Sequence, residues 1–377
     1  ALFILHGRGS EGSDAFYRSL AQQTIFLSKR WSHASPGLPR FEALTGLLYA
    51  GLSLEGMESH VEPAAKALAK ECERQIDAAG DIPTRNPEEL LEVFTLLTWS
   101  AAALAEMGRM AEGAHLDALE RMAPTLRSLR HSDGSLARFH GGGRGLEGRL
   151  DQALASSGVK SGPSQDIVMG YARLTGGRTS VVVDVAAPPK NEASRHAHAS
   201  TLAFELTTGR RPLIVSCGAG EAFGPDWAKA GRATQSHSTV VLDNTSSSRL
   251  NEDNLQFTQH PASVTMERAD KPASTALDLA HDGYRDTHGL THVRQMELSG
   301  DGRQLSVSEM LTTLTDADKK VFDRRFDEHA LSGVPYSVRL HLHPDVDAAI
   351  DMGGSAVSMV LKSGEVWVLR YDGKAKI

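Results

Sequence analysis

Apolar residues recur every three or four positions along the first third of this 377-residue chain, the spacing of helices with one buried face. That rhythm predicts helices over Ala15–Trp31, Arg40–Leu54, Val61–Ala79, Pro87–Met107 and Glu112–Arg130. The run "RNPEELLEVFTLLTWSAAALAEMG" is the clearest. Asn86 reads as an N-cap, Pro87 suits the first helical position, acids fill the first turn and Gly108 closes the end. Short polar links between helices of similar length predict stacked antiparallel pairs, as in a bundle or toroid.

After about residue 135 the period changes. "HSDGSLARFHGGGRGLEG" is glycine-rich and Asp151–Gln165 is small and polar, which puts a boundary near residue 160, with helices in 1–160 and strands in 161–377. Beyond it, "IVMGYARL" and "TSVVVDVAA" flank "TGGR", and "STLAFEL" and "RPLIVSCG" flank "TTGR", both hairpin signals. "HSTVVLD", "SVTMER", "THVRQMEL", "QLSVSEML", "YSVRLHLH", "AVSMVLKS" and "EVWVLRYD" continue the pattern. Many short strands with Gly, Asn and Asp turns predict a large antiparallel β-sandwich. The fold class expected is therefore multidomain, α then β.

Composition narrows the function. A net charge of −7 with no basic run argues against a nucleic-acid footprint, although a local basic cleft can still attract an anionic sugar. No apolar run approaches the ~20 residues that span a bilayer. Cys72 and Cys217 are the two cysteines and fall in different predicted domains, so no disulfide framework is expected and the compartment stays open. The chain opens at Ala1 without a leader, and a processed or missing N-terminus is the expectation.

Candidate chemistry gathers in a few places. Gly143, Gly145 and Gly148 form a literal G-x-G-x-x-G, but no buried strand precedes it, so it reads as a loop rather than a dinucleotide site. In "RHAHASTLAFEL", His196 and His198 face the same side if the segment is extended. With His237 and the Cys217 thiolate they could ligate one zinc ion; the alternative is a set of hydrogen-bonded imidazoles. His341 and His343, a second H-x-H, read as sandwich residues. His140, beside the glycine loop and with an ordinary pKa near 6.5, is the leading proton-transfer candidate. Arg232 could hold a carboxylate in bidentate fashion or a structural ion pair. Tyr171 and Tyr284 sit in strand-like runs, Trp31, Trp99 and Trp227 could stack on sugars, and Trp99 reads as core.

"RHAHASTLAFELTTGRRPLIVSCG", the following Trp227, "RATQSHSTVVLD", "HSDGSLARFHGG", "GYARL", "HDGY" and "VRLHLHPDV" together resemble the heparinase II/III-like polysaccharide lyases, over most of the chain from about residue 35. The resemblance implies a partial (α/α) toroid followed by the sandwich, and a cleft for an acidic polysaccharide or oligosaccharide. It also implies β-elimination on a uronic-acid glycan and a periplasmic or secreted location. In that chemistry the C5 proton is removed beside a carboxylate, so a carboxylate ligand, a base and a leaving-group acid are required. By the same likeness Asn86 matches the carboxylate ligand, and His198 and His237 match zinc ligands. Ser216 stands at the zinc aspartate's position, Ser200 at the acid after the H-x-H, and Phe139–His140 where a tyrosine is expected; Phe223 lacks a neighbouring tyrosine. The catalytic candidates are thus His140, Asn86, Arg232 and Tyr284, and the metal candidates His198, His237 and Cys217. A catalytically weakened or inactive glycan-binding protein on the same scaffold is the alternative, and a two-carboxylate hydrolase ranks last because Asp133 lacks a visible partner.

Overall fold

The computed structural model describes residues 11–164, 167–251, 256–329 and 333–377. Helices come first and antiparallel sheets after them. The helices are α1 (Glu11–Arg30), α2 (Leu38–Ser53), α3 (Val61–Gln75), α4 (Pro87–Glu106), α5 (Gly113–Leu129) and α6 (Arg149–Ser157). The first five fall within a few residues of the periodic segments. The sixth lies in a stretch that reads as small and polar, where Leu150, Ala153 and Leu154 are enough to bury one face.

Two compact units divide the chain. One contains Ala1–Pro83, Glu89–Arg127 and Arg149–Pro163; the other contains Thr84–Glu88, Ser128–Gly148 and Ser164–Ile377. In the first, Leu47 and Leu48 of α2, Val61, Ala64 and Ala65 of α3 and Leu104 of α4 form one apolar cluster. Gly51 allows α2 and α3 to come this close: a Cβ there would stand 2.8 Å from Val61 Cγ2. Trp99, expected in a core, is 48% exposed, with the Arg149 guanidinium 6.0 Å over its ring.

The second unit carries the strands. β1 (Tyr171–Gly176), β2 (Thr179–Asp184), β3 (Phe204–Thr208) and β4 (Arg211–Ile214) make one sheet in sequential order. Next come β5 (Val240–Leu242), β6 (Arg249–Leu250), β7 (Phe257–Gln259), β8 (Val264–Lys271), β9 (Ser274–Tyr284), β10 (Leu290–Ser299) and β11 (Leu305–Thr312). β12 (Tyr336–Val338), β13 (Val346–Asp351), β14 (Ala356–Leu361) and β15 (Val366–Arg370) complete the strands. β8 to β11 form a second four-stranded sheet and β13 to β15 a third sheet. Alternate residues of these three sheets, among them Leu174, Val181, Val183, Phe204, Leu277, Leu279, Met296 and Met359, share one buried core. Burying such side chains stabilises each by about 1.5–3 kcal/mol. α7 (Pro225–Gly231), α8 (Arg285–His288) and α9 (Asp316–Glu328) interrupt the strands. α9 begins at a capping box in which the Thr315 hydroxyl accepts from the Asp318 N–H and the Asp318 carboxylate accepts from the Thr315 N–H, a reciprocal pairing worth about 1 kcal/mol.

A polar network accompanies this core. The Gly283 N–H donates to His281 Nδ1 (3.0 Å), so the His281 proton sits on Nε2 and points at His292 Nδ1 (3.2 Å). His292 Nε2 in turn donates to Glu309 (2.7 Å), which also receives the fully buried Arg294 guanidinium. Each donor thereby fixes the tautomer of the next ring.

Candidate active site

The H-x-H segment is not a strand. Residues 195–203 form turns and irregular backbone, so the two imidazoles do not share a face. His198 is fully buried, whereas the His196 side chain is 54% exposed. Arg232 explains the shape. Its Nε donates to Ala197 O (2.8 Å) and its Nη2 to Ser194 O (2.7 Å), while its own carbonyl accepts from Ala199 N–H (2.8 Å). Arg232 is a buried clamp on this loop, with Nε and Nη2 engaged by backbone carbonyls.

Beneath the loop lies Asp184 at the end of β2, fully buried. Arg85 Nη2 meets Oδ1 at 2.5 Å, Ser200 Oγ donates to Oδ2 at 2.7 Å, and His140 Nε2 stands 3.5 Å from Oδ2. Burial alone would raise the Asp184 pKa, but the Arg85 charge and the His140 and Ser200 contacts prevail and hold it well below the carboxylate range. Arg85 also donates to the carbonyls of Met169, Gly170 and Ala187 (2.7–2.9 Å). Arg85, His140, Met169 and Leu202 all have φ between 50° and 63°. Left-handed backbone at a non-glycine residue costs about 1–2 kcal/mol, so four such residues around one carboxylate mark a site whose geometry is enforced.

His140 sits inside this arrangement. Its ring is buried, with Nδ1 accepting from the His198 N–H at 3.0 Å. Burial pulls its pKa down against the pull of Asp184. It therefore braces the loop and is not presented to solvent as a base. Phe139, at the expected tyrosine position, is buried and stacks on Tyr171 (5.2 Å); the Tyr171 hydroxyl donates to Arg85 O (2.6 Å). Tyr284 is elsewhere, buried with its hydroxyl on Val240 O (2.8 Å) and its pKa pushed up by burial.

The residues proposed as metal ligands do not suit zinc. The His198 and His237 rings stack with centroids 4.7 Å apart at 28° instead of converging their nitrogens. His198 lies under two backbone donors, His140 N–H (3.1 Å to Nδ1) and Gly141 N–H (3.0 Å to Nε2). His237 Nδ1 pairs with the Ser216 hydroxyl (2.6 Å), where a zinc site wants a carboxylate. The buried His237 Nε2 lacks a hydrogen-bond partner, as does the buried His140 Nε2, and burial lowers the His237 pKa to about 3. Cys217 is exposed, with Sγ 3.3 Å from His341 Nδ1. Among the described residues no group of three His, Cys, Asp or Glu is placed to hold a metal ion.

Asn86 is brought to the glycine loop. Its Oδ1 accepts from the Glu88 N–H (3.0 Å), the N-cap bond of α4. Gly141 and Gly142 press against it. A Cβ on Gly142 would stand 2.4 Å from Asn86 Oδ1, and one on Gly141 would stand 3.5 Å from Asn86 Nδ2 and 2.8 Å from His196 Cβ. Gly141 is thus flanked by the His196 Cβ on one side and the Asn86 amide on the other. Glu221 hydrogen-bonds His196 Nδ1, which fixes the tautomer and leaves Nε2 facing outward. Glu221 stands 25 residues beyond His196 in a glycine-rich loop, so no local pattern in the sequence joins the two.

The described helices and antiparallel sheets match solved heparan sulfate and heparin lyases. Heparan sulfate lyase HepC from Pedobacter heparinus superposes with a TM-score of 0.62 at 16% identity, covering 94% of this chain and 55% of that one. Heparinase III gives a TM-score of 0.67 at 14% identity, covering 97% and 58%. The family described as "Heparinase II/III-like, C-terminal" matches residues 164–377, and the chain belongs to that family. FtsZ-localized protein C of Caulobacter vibrioides is 32% identical over 342 residues, 87% of this chain and 56% of that protein. The chain spans about half the length of these relatives. No described helix is long and apolar enough to cross a membrane.

Proposed function

We propose that this protein is a polysaccharide lyase that cleaves a uronic-acid-containing glycan by β-elimination, with the helices contributing part of an (α/α) toroid and the sheets a β-sandwich. The observation that carries the reading is the exposed His196–Glu221 pair on the segment packed against Gly141, the glycine that also adjoins Asn86. Asn86 Nδ2 donates to the uronate carboxylate and lowers the cost of the second negative charge that develops there. His196 Nε2 takes the C5 proton, with Glu221 stabilising the imidazolium. The electron pair forms the C4–C5 double bond, the C4–O4 bond breaks, and the same imidazolium returns the proton to O4. No step is routed through zinc.

The test is a panel of heparan-type, alginate and other uronate polymers, read by the ultraviolet absorbance of unsaturated ends. His196→Ala is expected to lower turnover by about 10²–10⁴, and Asn86→Ala by about 10²–10³. A panel without turnover, or His196→Ala at wild-type rate, overturns the reading.

The second reading is a glycan-binding protein without turnover. By the family resemblance Phe139 stands where a tyrosine is expected and no tyrosine lies near Phe223, and the Tyr171 and Tyr284 hydroxyls are spent on backbone carbonyls. The name of the Caulobacter relative, a protein localised with FtsZ, supports this scaffold also serving in a non-degradative setting.

A further inference from the structure

At the opposite end of the β1–β4 sheet from Asp184, three turns and a fourth segment enclose a groove of about 520 Å³ lined by Ser132, Arg178, Thr208, Gly209, Arg210, Arg211, Ser363 and Glu365. We propose that this groove is a second binding site for an acidic oligosaccharide, separate from the His196 site. The register sets the separation. Thr179 pairs with Thr208 at the groove, and Val183 pairs with Phe204 next to Asp184; four residues of strand span about 13 Å.

The groove is built, not merely exposed. The Gly209 N–H donates to Arg178 O (2.9 Å), tying the β3–β4 turn to the β1–β2 turn. Gly176 and Gly177 lie so close to Ser299 O and Asp301 O that a Cβ on either would stand 2.1–2.2 Å away, which locks that turn against its neighbour. Glu365 is saturated: Oε1 accepts from Thr208 Oγ1 (3.1 Å) and Trp367 Nε1 (3.0 Å), and Oε2 from Arg178 (3.2 Å). Within the lining, Glu365 is accompanied by three arginines; the Arg211 charge also acts on Asp345 outside it, whereas Arg210 makes no hydrogen bond or ion pair within the described residues. The result is a local positive site on a chain of net charge −7, suited to planar carboxylate or sulfate groups.

No lining residue has an apolar side chain. A sugar acid finds guanidinium donors for its acidic groups and hydroxyl partners in Ser132, Thr208 and Ser363. The class of polymer rests on the proposed function; the position of the site does not.

The experiment is calorimetric titration of a heparan sulfate disaccharide, too short to span both ends of the sheet, into the full chain, carried out in a His196→Ala background so that the probe is not cleaved. The parent is expected to bind two equivalents and Arg210→Ala/Arg211→Ala one fewer. Were the His196 site to bind no glycan, the parent would take one equivalent and the double variant none, so failure of the lyase reading is distinguished from failure of the groove. Equal stoichiometry in parent and double variant overturns the proposal. So does an octa-glutamate peptide that fills the groove as tightly as the sugar. Arg210→Lys/Arg211→Lys, which keeps charge without the planar fork, is expected to retain the equivalent with affinity reduced about three- to tenfold.

Discussion

Asp184→Asn removes one charge from the centre of the β unit while keeping its shape. Asp184 is fully buried and the Arg85 side chain is 12% exposed, so screening by solvent is slight. The substitution leaves a guanidinium without its counter-charge and turns one acceptor into an amide donor facing either Arg85 or Ser200. Removing one partner of such a pair costs about 3–5 kcal/mol. In a domain of 150–250 residues each kcal/mol lowers Tm by about 2–4 °C, so a cost near 3 kcal/mol predicts a fall of about 6–12 °C. Thermal unfolding followed by near-ultraviolet circular dichroism reads this directly, and Arg85→Met/Asp184→Asn closes a double-mutant cycle. The folded Asp184 pKa is depressed, so its stabilisation is present above the unfolded value near 3.9 and is lost as pH falls toward the folded one. The wild-type advantage over Asp184→Asn should therefore be constant at neutral pH and shrink below about pH 4. A Tm loss under about 2 °C at neutral pH, or strictly additive single effects, would refute the idea that this pair organises the site.

Three further outcomes follow from the same geometry. Gly142→Ala should displace Asn86 or the glycine loop, because its Cβ would stand 2.4 Å from Oδ1; turnover should fall by about 10²-fold, and unchanged kcat/KM would contradict the placement. His281 and His292 are buried with lowered pKa, chiefly through desolvation. Their neutral forms stabilise the fold above the unfolded value near 6.5, and that contribution is lost as pH falls through the depressed folded values. Wild type should thus lose stability as pH falls below about 6.5 more steeply than His281→Gln, as read by denaturant midpoints; parallel pH profiles would count against it. Purified protein should hold far less than one zinc per chain, and chelation should leave Tm unchanged; a stoichiometric ion by elemental analysis would reverse the fit argument.

Much of the fold was legible because apolar spacing survives translation into structure. Asn86 reads as a cap and is one, and the "TTGR" and "TGGR" turns join β3 to β4 and β1 to β2. β9 was missed although Leu277, Leu279 and His281 alternate inward, because a buried histidine does not read as core. α9 was missed because its charged residues hide the Thr315–Asp318 box. The H-x-H pair misled for a physical reason: period-two reasoning assumes extended backbone, and the Arg232 clamp, contributed from 35 residues beyond Ala197, folds the segment into turns. Neither the Glu221 partner nor the Asp184 hub is visible as a local pattern, since both depend on pairings between distant segments.

The most direct test of the central claim is proton nuclear magnetic resonance of a defined uronate tetrasaccharide with the protein in deuterated water. The account predicts loss of the C5 proton signal together with appearance of a C4 vinyl proton for the wild type, and neither change for His196→Ala. Vinyl product formed at an undiminished rate by His196→Ala, or an unaltered C5 signal with wild type across substrates that bind, would contradict it.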